Sequence, residues 1–185
     1  MVAMLVSLSS GCGERAERGG EVAGVSLQAA AEGADQIVLR TLSLVQPDLT
    51  WVHDVSSTSE CDGYEIEGRV TGSVTRRAAV MTIISEGRRG SLLGVVERAW
   101  KARGYAITGV DPDKSMPAVY AKDPAGYRMS LSVGYAGRFH VSVTTPCFIL
   151  SAVRAPQTRA SGRAFEGENV PVPYIRSEFW SAGAP

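Results

Sequence analysis

The chain has 185 residues, 44% hydrophobic and 21% charged, a balance that suits one folded domain and excludes global disorder. Nineteen Lys and Arg against nineteen Asp and Glu give a formal charge of zero, so the broad cationic field of a nucleic-acid binder is missing and no nucleic-acid partner is expected. With two histidines and three cysteines a ligand-rich metal centre is excluded by count, and no cofactor is expected.

The first twelve residues, Met1-Val-Ala-Met-Leu-Val-Ser-Leu-Ser-Ser-Gly11-Cys12, form a short apolar run that ends in small residues and a cysteine. The run is too short to span a bilayer, which takes about 20 apolar residues, but it suits the apolar part of an export signal. The junction resembles the lipobox of bacterial lipoproteins, with Ser10 and Gly11 as the small residues and Cys12 as the lipid-bearing position; Leu8 stands one place ahead of the family's leucine. No basic stretch precedes the apolar run, so the signal is expected to start upstream of Met1. The alternative is a buried strand or helix start with Cys12 as an ordinary thiol. Residues 13–25, rich in Gly, Glu and Arg, read as a flexible tether. Two acyl chains on one cysteine would suffice for stable anchoring, which places the protein on the outer face of the cell membrane. If Cys12 carries lipid, Cys61 and Cys147 remain and the count is even, so the two are expected to pair; the alternative is two free buried thiols.

One domain is expected over residues 26–150. From Ser26, Leu27, Ala30, Ala31, Ala34, Val38 and Val45 recur at helical spacing until Pro47 stops the pattern. Residues 47–53 read as a short extended piece leading to the Ser/Thr loop 56–60 and Cys61. A strand weakened by Gly68 and Gly72 follows over 64–74, then a turn at Arg76-Arg77, a β-branched strand over 78–84 and a charged loop over 86–90. Residues 91–103 carry the clearest helical stripe, with Ser91 at the N-cap, Gly104 after the last turn and Trp100 off the stripe. Strands are expected over 105–110 and 118–121. Residues 127–135 and 138–144 alternate strictly and make an antiparallel hairpin, dry on one face and carrying Arg128, Ser130, Ser132, His140, Ser142 and Thr144 on the other. Beyond Leu150 the periodicity ends, and 151–185 reads as an extended, partly disordered tail that Phe179 and Trp180 could dock. The whole is an α+β fold: two main helices packed in two layers on an antiparallel sheet of about five or six strands.

Chemistry is sparse. His140 beside Ser130, Ser132 and Ser142 could serve a hydrolase only with an orienting acid, and none is expected. His53 and Asp54 are adjacent on an extended segment and so point opposite ways. Asp111, Asp113 and Asp123 read as local turn caps rather than calcium ligands, and Trp51, Trp100 and Trp180 as core or tail anchors. No catalytic residue is assigned.

Taken together, Gly11-Cys12 and its polar tether, a helix ending in Pro47 before Thr50-Trp51, Cys61 after a polar loop, an amphipathic helix ending near Gly104-Tyr105, Gly126-Tyr127, Cys147-Phe148 and a Pro-rich tail resemble the small actinobacterial lipoproteins of the LppA-like kind over residues 8–175. The resemblance implies a membrane-attached, extracytoplasmic protein whose cysteines pair, and no catalytic residue. The expected role is a non-catalytic binding or scaffold domain of the cell envelope that presents a sheet face to an envelope protein, polymer or small ligand. The alternatives are a secreted inhibitor or immunity-type module and, less favoured, a hydrolase using His140.

Overall fold

The computed structural model describes residues 25–165 and 169–185. Cys12, the apolar run before it and the tether up to residue 24 lie outside the described residues.

Helix α1 (Leu27–Leu42) is capped by Ser26, whose hydroxyl accepts the Ala29 amide at 3.1 Å. Its Ala-rich stripe lies flat on the sheet: Leu27, Ala30, Ala31, Ala34, Ile37 and Val38 are buried. Helix α2 (Glu86–Ala102) starts five residues before the expected Ser91, so the segment 86–90 is helical rather than a loop, and Ser85 is its N-cap. Its buried residues are Leu92, Leu93, Val96 and Trp100. Trp100, expected off the stripe, is therefore a core residue, only 1% exposed, and its indole N–H donates to Thr41 Oγ1 of α1 at 3.0 Å. Gly104 takes a positive φ of 76° after the last turn, as its place in the sequence implied.

The strands are β1 (Trp51–Ile66), β2 (Arg69–Val80), β3 (Ala106–Asp111), β4 (Ala118–Lys122), β5 (Arg128–Val133), β6 (Phe139–Thr144) and β7 (Phe148–Ile149). They form one sheet in the order β1-β2-β6-β5-β4-β3, with β7 also on β2, and every pairing is antiparallel. The α+β architecture is the expected one, with seven strands instead of five or six. The extra length comes from β1, which runs straight through the Ser/Thr stretch expected as a loop, and from the short β7. Arg76-Arg77 is likewise the middle of β2 and not a turn. The two helices cover one face of the sheet, where Ala78, Val141, Leu131 and Val119 are aligned across four strands. This row and its neighbours form the main core, and each fully buried aliphatic side chain there contributes about 1.5–3 kcal/mol.

The segment 151–185 is extended, as expected, but its described residues are bound to the body. It runs past α1, crosses the outer edge of β1, covers one end of the opposite sheet face and returns to the main core. Gly162 N–H donates to Trp51 O at 2.8 Å, Ile83 N–H donates to Ile175 O at 2.8 Å, and Trp180 is 1% exposed with its indole N–H on Pro47 O at 2.7 Å. Phe165, Val170 and Ile175 close over Val52, Ala79 and Met81 as a second small core. Absence of periodicity here reflects anchoring by single side chains and backbone hydrogen bonds rather than by a continuous apolar face.

Candidate functional site

Cys61 on β1 and Cys147 just ahead of β7 form a disulfide, with Cα atoms 6.3 Å apart and a separation of 86 positions in the sequence. The bridge ties the outer part of the β1–β2 hairpin to the chain leaving β6.

The sheet face away from the helices is polar. Ser130 and Ser142 are cross-strand partners, as are Ser132 and His140, Asp54 and Arg77, and Tyr120 and Ser130. Across the strand order this brings Asp54 of β1 to His140 of β6, passing over the small side chain of Ala79 on β2. Asp54 Oδ2 stands 3.5 Å from His140 Nδ1, with side chains 17% and 26% exposed. The expectation that His140 lacks a carboxylate partner is thus corrected: the partner comes from the other end of the chain, through a sheet pairing that no local pattern announces. Burial holds the His140 pKa below its ordinary 6.5, against the pull of Asp54 and together with repulsion from Arg138 and Arg77. His140 is therefore a neutral imidazole oriented by a carboxylate near neutral pH. Among the described residues no serine hydroxyl is hydrogen-bonded to it.

His53, adjacent to Asp54, points to the opposite face, as alternation requires. Its Nε2–H donates to Thr158 O of the C-terminal segment at 2.7 Å, and its ring packs edge-on against Trp51 at 5.2 Å. Deeper on the same face, Arg76 reaches toward α1, where its Nε lies 3.2 Å from Asp35 Oδ1, both side chains being no more than 4% exposed. Arg76 also donates to Ser56 Oγ at 3.1 Å and to Arg154 O at 2.6 Å. One guanidinium thus joins α1, β1, β2 and the C-terminal segment. Desolvation raises the Asp35 pKa, countered by Arg76 and His53.

Turn aspartates behave as caps. Asp113 accepts the amides of Ser115 and Met116 at 2.8 and 2.7 Å, and these bonds lower its pKa; Asp123 accepts the amide of Tyr127 at 2.9 Å. No cluster of metal-ligating side chains occurs among the described residues.

Two clefts flank the C-terminal segment where it crosses β1. The larger, of about 700 Å³, opens between the end of α1 and residues 159–163. The smaller, of about 440 Å³, lies on the other side and includes Asp54 in its wall. Both depend on residues beyond 150, which carry no helical or strand period, so no local pattern in the sequence announces them.

No family model matches the chain, and no curated protein matches it. Among solved structures it is similar to a DUF4853 family protein from Actinomyces odontolyticus ATCC 17982, at 12% identity and a TM-score of 0.46, covering 70% of this chain and 72% of that one.

Proposed function

We propose that the protein is a lipid-anchored, extracytoplasmic lipoprotein of the cell envelope whose domain binds or scaffolds rather than catalyses. The observation that carries this reading is the Cys61–Cys147 disulfide. Structural disulfides are characteristic of oxidising, extracytoplasmic compartments, and this one leaves Cys12 as the odd thiol, at a junction that resembles a lipobox. The open polar sheet face is then the surface turned to an envelope protein, polymer or small ligand. Metabolic labelling with a palmitate analogue tests the anchor. Label and membrane association should both vanish in Cys12→Ala, and label retained by that variant overturns the reading.

The Asp54–His140 pair favours one second reading, a hydrolase in which His140 activates Ser132 on the neighbouring strand. A fluorophosphonate probe should then label the folded protein and fail on both Ser132→Ala and His140→Ala. An unlabelled wild-type protein retires this reading and leaves the binding role standing.

A further inference from the structure

The larger cleft has an apolar floor and a cationic wall. Leu39 and Leu42 of α1 meet Leu49 and Trp51, which are 5% and 4% exposed, while Arg159 and Arg163 line the opposite side and are exposed. Among the described residues neither arginine forms an ion pair. Asp48, the acid in the lining, already accepts Gln46 Nε2 at 2.6 Å. The cationic wall is firmly placed: Ser161 Oγ donates to Leu49 O at 3.0 Å and accepts the Trp51 amide at 3.0 Å. Next to it, a Cβ on Gly162 would lie 3.0 Å from Trp51 O and from Val52 Cγ1, so any side chain here would press on β1, and glycine suits this close approach. The cleft is therefore built before any ligand arrives, and its volume of about 700 Å³ falls within the common range for small-molecule sites.

We infer that this cleft binds a single-chain amphiphile with an anionic head group, the apolar chain lying on Leu39, Leu42, Leu49 and Trp51 and the head group held by Arg159 and Arg163. The charge pattern selects this class. An anionic head group meets two guanidinium groups that form no ion pair among the described residues, whereas a cationic one would be repelled. The C-terminal end of α1 also borders the cleft through Leu39, Leu42 and Ser43, and the partial negative charge of that helix end directs an anionic head group away from it and to the arginine wall. The site stands on this geometry alone and does not depend on the anchoring of Cys12.

The test is calorimetric titration of the full chain with dodecyl phosphate and with the uncharged dodecyl maltoside, each below its micelle concentration. Dodecyl phosphate should bind with a stoichiometry of one and at least about tenfold more tightly than the maltoside, a difference of about 1.4 kcal/mol. Amide shifts in a nuclear magnetic resonance spectrum should centre on Leu42, Leu49 and Trp51. The double variant Arg159→Gln/Arg163→Gln should lose the preference for the phosphate and keep the wild-type far-ultraviolet dichroism. Equal affinity for both amphiphiles, a preference surviving in the double variant, shifts centred elsewhere, or no saturable binding of dodecyl phosphate would each overturn the inference.

Discussion

Arg76 and Asp35 are buried together in the plane between α1 and the sheet, and the two are unequal in what their loss should do. Removing only the carboxylate strands a guanidinium in a dry site, so Asp35→Ala should cost about 3–5 kcal/mol in urea unfolding. Replacing both by apolar residues of similar volume, Asp35→Leu with Arg76→Met, should cost less than either single change, because no charge is left unpaired. A double variant weaker than both single ones would show that Arg76 matters mainly through Ser56 and Arg154. On the opposite face, His140 yields a pH prediction. Its folded pKa lies below 6.5, so the unfolded chain takes up the proton first as the pH falls. Stability is present above 6.5 and drains away as the pH drops from there through the folded value, and His140→Gln should flatten that limb of the stability curve. Asp54 pulls the imidazole up, so Asp54→Asn should lower the His140 pKa further in a nuclear magnetic resonance titration; an unchanged or raised value would mean that the 3.5 Å pair carries no electrostatic weight.

At the scale of elements, the C-terminal segment behaves as a strap. Trp180 fills a place in the main core and satisfies Pro47 O, so Trp180→Ala should remove about 3–5 kcal/mol, read as a lower urea midpoint. Gly162→Ala, whose new methyl would press on the β1 backbone at about 3.0 Å, should cost about 1–3 kcal/mol and loosen the larger cleft, visible as faster amide exchange at position 162, whose N–H donates to Trp51 O. The β5–β6 hairpin was fully legible in the sequence because one face is dry and the other wet; α1 was legible from its Ala-rich spacing, although it ends at Leu42 and not at Pro47. β1 was not: its residues beyond Asp54 are mostly exposed on both faces, so backbone pairing with β2 holds it and no apolar alternation marks it. The first turn of α2 was hidden by Gly87 and Gly90, poor helix formers that tertiary contacts override. Arg88 lies over the Phe179 ring at 4.2 Å and Arg89 donates to Ser115 O at 2.6 Å, and both partners come from distant chain.

For the whole molecule the disulfide acts on the unfolded chain more than on any contact. Closing 86 residues should contribute about 4–5 kcal/mol, so reduction with dithiothreitol should lower the urea midpoint accordingly while leaving the far-ultraviolet spectrum near native. Reduction without effect on the midpoint would mean that the sheet alone restrains the ends of that loop. The pairing was legible from cysteine count and compartment logic. The open-face ion pair and the two clefts were not, since each joins residues from separated stretches: Asp54 with His140, and Leu39 with Arg163.

The place of Trp180 has a consequence for how the protein is born. Its indole completes a packing layer begun by α1 some hundred and forty positions earlier on the ribosome's timetable, so a nascent chain cannot seal its interior until almost everything described here has emerged. Until then the core stays open at the position its indole fills.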